Sequence, residues 1–113
     1  MNKDKQTNNV EKSTAVAGQN ERLVIRRVVC AANRYGELLV CGARHHDKVM
    51  NAQIRAIGKE RCKPSEGYQG FIDQFGCFMT RQEAMKVAVE SGQQLDMRRN
   101  SGNGRDLYSE GLY

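Results

Sequence analysis

Between Gly42 and Lys48 the chain reads Gly-Ala-Arg-His-His-Asp-Lys, directly after the apolar run Leu38-Leu39-Val40-Cys41. A glycine at the end of a strand lets the backbone turn tightly. A helix starting just beyond it presents N–H groups that have no partner within the helix. Those donors and the helix dipole attract anions. Arg44 offers a planar fork suited to phosphate or carboxylate. His45 and His46 can donate or accept and titrate near neutrality, and Lys48 adds a point charge. The combination suits a small anionic ligand, a phosphate group before a carbonyl or a metal. The competing account of the same residues is structural: Asp47 caps the helix and the histidines decorate a surface loop.

Other chemistries find less support. Adjacent histidines rarely face one way, and the chain has no others; its cysteines at 30, 41, 62 and 77 form no C-x-x-C pair. No metal site and no cofactor are expected. A hydrolase needs a nucleophile or activated water, an orienting partner and an oxyanion donor. His45 is the first candidate acid or base, but no nucleophile elbow or paired-carboxylate motif accompanies it, so the sequence leans against an enzyme. In a reducing compartment the four thiols read as small buried apolar groups. One pair stands apart. If Tyr35-Gly36 were a two-residue hairpin turn, Cys30 would face Cys41 within disulfide reach.

The elements that position these residues follow from the pattern. Residues 23–31 are rich in β-branched side chains and read as a strand, Asn33 to Gly36 as a turn, and Glu37 to Cys41 as the return strand. On such a strand the neighbours Arg26 and Arg27 point to opposite faces. Val49, Met50, Ile54 and Ile57 fall on one side of a helix over 46–57, with Asp47 at its start and Gly58 at its stop. After the Pro64 and Gly67 loop, residues 68–73 form a short strand, Gln74-Phe75-Gly76 turns, and Cys77 to Met79 runs back. Gly70 inside that strand marks a bulge or a close approach. Thr80-Arg81-Gln82-Glu83 fits a capping box, and Ala84, Met85, Val87, Ala88 and Val89 give the following helix its apolar side before Ser91-Gly92. The order β-β-α-β-β-α predicts an α+β fold: one small domain with a mainly antiparallel sheet and both helices on one face. Residues 98–105 make a flexible basic loop. Leu107, Tyr108, Leu112 and Tyr113 are costly to leave wet together, so the C-terminal segment docks on the body or on a neighbouring subunit, which would make a homo-oligomer.

The chain of 113 residues suits a single domain, with 1–21 a polar tail and 22–113 the folded part. Eighteen Lys and Arg against thirteen Asp and Glu give a net charge of +5. That balance suits nucleotides, nucleic acid or an acidic protein surface, and serves solubility equally well. Nucleic acid is the weaker option, because no helix-turn-helix, RRM or KH signature is present. No run approaches a membrane span, and Met1-Asn2-Lys3-Asp4 starts no signal peptide, so a cytoplasmic protein is expected.

The segment from Gln69 to Ala84, with Gly42-Ala43-Arg44-His45 before it and Leu107-Tyr108-Ser109-Glu110-Gly111-Leu112-Tyr113 at the end, resembles a family of small tailed-bacteriophage accessory proteins. The shared order is G-x-R-H, Q-G-F with a glycine turn, T/S-R-x-E-A opening a helix, and L-Y/F-S-E-x-L near the terminus. The likeness covers roughly residues 38–113. It implies expression in an infected bacterium, in the host cytoplasm. Such proteins often counter host defence, by trapping a nucleotide messenger, by blocking a defence protein, or by an enzymatic act. The residues make the first option specific: Arg44, His45 and Lys48 on phosphate, with Gln69 or Phe71 near a base or sugar. A host-protein inhibitor would instead use a broad patch and leave Arg44 dispensable.

Overall fold

The computed structural model describes residues 24–113. The expected polar tail, residues 1–21, lies outside them. Strands β1 (Val28–Tyr35) and β2 (Leu38–Gly42) are followed by helix α1 (Lys48–Ile57). Strands β3 (Gln69–Asp73) and β4 (Phe78–Thr80), helix α2 (Arg81–Glu90) and the short α3 (Ser109–Leu112) complete the chain. The four strands form one antiparallel sheet in the order β2-β1-β3-β4. The fold is α+β, as the alternation of the two patterns predicts.

Strand register assigns each side chain to a face. One face carries Val40, Ala31, Tyr35, Phe71 and Met79, and these pack into a single core with Met50 of α1, with Ala84, Met85 and Ala88 of α2, and with Leu107. Phe71, Met50, Met79 and Leu107 are fully buried, each stabilising the fold by about 1.5–3 kcal/mol. Both helices therefore cover the same face. Val49 and Val89, assigned to the apolar sides of the helices from spacing, are 60% and 64% exposed. The opposite face carries Cys30, Ala32, Arg34, Cys41, Ile72 and Phe78 and contributes nothing to that core.

The first hairpin departs from the expected register. Tyr35 pairs with Leu38, so the two-residue turn is Gly36-Glu37 and not Tyr35-Gly36. Gly36 has φ +67, and the turn that puts glycine first matches the twist of the flanking strands. Cys41 therefore faces Ala32, and Cys30 lies one diagonal step away on the same open face. The two thiols are unlinked but hydrogen-bonded. Burial, with Cys41 beside it, pushes Cys30 up to about 11. The strand itself runs later than its composition predicts, from Val28 through Asn33 and Tyr35. Residues 24–27 do not join the ladder. There Arg26 reaches the buried Asp73 at 2.8 Å, and the Gln74 side chain holds Ile25 and Arg27.

Side chains close the exposed backbone. Gln53 bonds both the N–H and the carbonyl of Cys41 on the outer strand β2, and Gln93 does the same for Val28, where β1 is bulged. The capping box of α2 is present: Glu83 N donates to Thr80 Oγ1 at 3.1 Å, and Thr80 N donates to Glu83 Oε1 at 2.9 Å. Gly70 is the close approach its position predicts. A Cβ there would run into the Met79 carbonyl and the Phe78 ring, because Phe78 lies across it with the Arg34 guanidinium 4.3 Å above the ring. Thr80→Ala is expected to cost about 1 kcal/mol in urea denaturation. Gly70→Ala should cost more, since it displaces β4 backbone; an equal or smaller loss would contradict this packing.

Candidate functional site

The turn between β2 and α1 is built around Asp47. Its carboxylate accepts from Met50 N at 2.9 Å and from Arg44 N at 3.2 Å, so it caps α1 and folds the Gly42–His46 segment back on itself. These backbone donors hold its carboxyl below the ordinary value. Gly42 is required beneath it, because a Cβ would strike the Asp47 carboxylate. The capping role inferred for Asp47 therefore holds, with the Met50 N–H of the first turn of α1 occupied by this side chain.

His45 is drawn inward by the sheet. Its Nε2 lies 2.8 Å from the Gly70 carbonyl, its Nδ1 lies 3.3 Å from Ser109 Oγ, and its ring meets Phe71 edge-on at 5.2 Å. A carbonyl only accepts, so Nε2 carries the proton and Nδ1 accepts from the Ser109 hydroxyl. Ser109 Oγ in turn accepts from His45 N at 3.2 Å. Burial, and next the charge of Arg81, hold the imidazole down at about 4. His45 is thus a neutral side chain with both nitrogens engaged.

The other predicted residues divide. Arg44 is half-exposed and reaches Glu110 Oε2 at 3.4 Å. Lys48 is exposed at the first residue of α1. Gln69 sits next to the cluster, its Oε1 accepting from Arg81 Nη2 at 2.7 Å. Phe71, expected near a base or sugar, is fully buried in the core. Its ring supports His45 and presents no face to solvent. His46 turns outward with φ 58, held by Asn51 Nδ2 on its carbonyl at 2.9 Å.

Three residues not singled out from the sequence complete the cluster. Arg81, the first residue of α2, also donates to the Leu107 carbonyl at 3.1 Å and lies 4.3 Å over the Tyr108 ring. Among the described residues no carboxylate lies within ion-pair distance of it. Burial pushes its guanidinium below the ordinary value. Ser109 and Glu110 come from the C-terminal segment, which docks on the same chain. The basic loop at 98–105 is organised by the buried Asn100, whose Oδ1 accepts from Tyr108 N at 2.7 Å and whose Nδ2 reaches the Asp106 carbonyl. The signal that could have found Arg81 was its place after the capping threonine, where a long side chain is free to reach across the sheet. Beyond Glu110 a groove of about 510 Å³ opens between Met97, Arg98, Arg99, Leu112 and Tyr113. Among the described residues no group of side chains is arranged to hold a metal ion, and no helix is long and apolar enough to cross a membrane.

The chain belongs to the Phage T4 y16D protein family, whose family model matches residues 27–113. It is a phage accessory protein. No curated protein and no solved structure matches it. The matched span includes every residue of the cluster, from Arg44 and His45 through Gln69 and Arg81 to Glu110.

The depressed His45 carries a pH signature. The folded state favours the neutral ring, so between about 6.5 and about 4 the unfolded chain binds the extra proton and stability falls as pH falls. Denaturation midpoints measured across that window should show this loss in wild type, and His45→Asn should flatten the slope. A slope unchanged in the variant would show that His45 is not the titrating group.

Proposed function

We propose that this phage protein is a binding protein that sequesters a small phosphorylated, nucleotide-like ligand without turning it over. The observation that carries this reading is Arg81, a half-buried guanidinium with no carboxylate in ion-pair reach among the described residues. A charge taken partly out of water needs a counter-charge to offset desolvation, and a phosphate group is a bidentate partner for it. Arg44 meets the docked C-terminal segment at Glu110, 3.4 Å from its Oε2, and Lys48 adds charge at the start of α1. In this reading the ligand's phosphate takes the place of Glu110 on Arg44, and Gln69 orients Arg81. His45 serves as a neutral strut beneath them. Its engaged nitrogens support binding over catalysis. Trapping a nucleotide messenger of host defence in the bacterial cytoplasm is the role that fits such a ligand in a phage protein.

A second reading, direct capture of a host defence protein, draws on a different feature. Met97 and Tyr113 at the groove are 48% and 53% exposed, and Arg98 and Arg99 flank them. Exposed apolar side chains rimmed by charge are the usual composition of a protein contact.

Calorimetry against a nucleotide panel separates the two. Wild type should bind a phosphorylated compound, Arg44→Ala should weaken that binding about tenfold or more, and Glu110→Gln should tighten it by releasing Arg44. A silent panel, together with retention of one host protein that Arg44→Ala leaves intact, would replace this reading with the second.

A further inference from the structure

One polar atom in the interior is unaccounted for. Asn33 is fully buried in the middle of β1, and its Oδ1 has no hydrogen-bond partner. Its nitrogen is well used: Nδ2 donates to Tyr35 Oη at 2.8 Å and lies 3.4 Å from His46 Nε2. Buried side-chain oxygens are nearly always satisfied, and one that is not calls for an explanation. The position supplies it. Asn33 pairs across the ladder with Gln69, whose Oε1 holds Arg81, so one side chain separates the orphan amide from a guanidinium that has no ion-pair partner among the described residues. Tyr35 and Tyr68 lie alongside with ring centroids 5.7 Å apart, and Gln69 Nε2 donates to Tyr68 Oη. Two phenols, two amides and a guanidinium are gathered at one end of the sheet's covered face.

We infer that Asn33 reads the organic part of the phosphorylated ligand, its unpaired amide oxygen accepting a hydrogen bond from a sugar hydroxyl or a nucleobase N–H. The inference rests on the phosphate reading above. The exposed ring over the amide is His46, in a left-handed backbone conformation and tied down by Asn51. Its Nε2 lies 3.4 Å from Asn33 Nδ2, and in this inference the ring turns aside to let the ligand reach Oδ1, with His46 as the gate and Asn33 as the reader. An apolar residue at 33 would remove an orphan oxygen, yet the site carries an amide; a ligand donor completes it.

The test compares wild type, Asn33→Leu and Asn33→Asp by calorimetry against inorganic phosphate, ribose 5-phosphate and nucleoside monophosphates. The leucine variant should bind inorganic phosphate as wild type does, which also reports an intact fold, and lose about tenfold toward the nucleotide. The aspartate variant keeps an acceptor oxygen, guards against misfolding of the leucine variant, and should retain more of the nucleotide affinity. A parallel loss toward ribose 5-phosphate identifies a sugar hydroxyl as the donor, and a loss confined to nucleotides identifies the base. Nucleotide binding that Asn33→Leu leaves unchanged overturns the inference alone. Wild type silent toward all three compounds overturns the phosphate reading and this inference with it.

Discussion

Docking of the C-terminal segment onto the covered face of the sheet is the constraint on which the other features depend. Leu107 is fully buried in the core, and its backbone is clamped from both sides: its N–H donates to the Arg81 carbonyl and its carbonyl accepts from the Arg81 side chain. Ser109 then meets His45, and Glu110 meets Arg44. Asn100 secures the approach, and Gly111 lies so close to it that any side chain would collide. The last seven residues are thus a structural element, fixed by one apolar anchor and a row of polar contacts.

That docking decides the electrostatics of the cluster. It buries His45 between a carbonyl and a hydroxyl, which makes the neutral ring the stable one. It half-buries Arg81 over Tyr108 with neutral hydrogen-bond partners, while the carboxylates of Glu110 and Asp106 act on it from beyond ion-pair distance. Positive charge is left in a place where water screens it less, and among the described residues Glu110 is the carboxylate paired with Arg44. The same contacts that hold the terminus in place therefore set the surroundings of both guanidinium groups.

The uncovered face follows a different logic. An antiparallel sheet can leave one side to solvent, and here Phe78 lies flat across Gly70 beneath Arg34, with the two hydrogen-bonded thiols of Cys30 and Cys41 further along. Burial raises both half-buried thiols, but of the four cysteines expected inside only Cys62 is buried, and Cys77 is exposed.

How much of this was legible beforehand divides along a physical line. Signals carried by neighbours in the chain were sufficient by themselves: the capping box at Thr80 and Glu83, the Asp47 cap, glycine at 36, 58 and 92, and the alternation of strand and helix patterns that fixes an α+β fold. Each depends on backbone geometry within a few residues. What required the tertiary structure was every contact between distant segments. The hairpin turn moved by one residue because backbone twist favoured glycine first, which set Cys30 diagonal to Cys41 and not opposite it. Asn33 reads as a turn residue by composition but lies buried in a strand. Arg44 and His45 were visible as a cluster, yet whether they faced a ligand or the protein itself depended on residues more than sixty positions away. Local chemistry set the elements, and the packing of the C-terminal segment set the charge state and exposure of the side chains between them, because burial and partner geometry are properties of the folded chain alone.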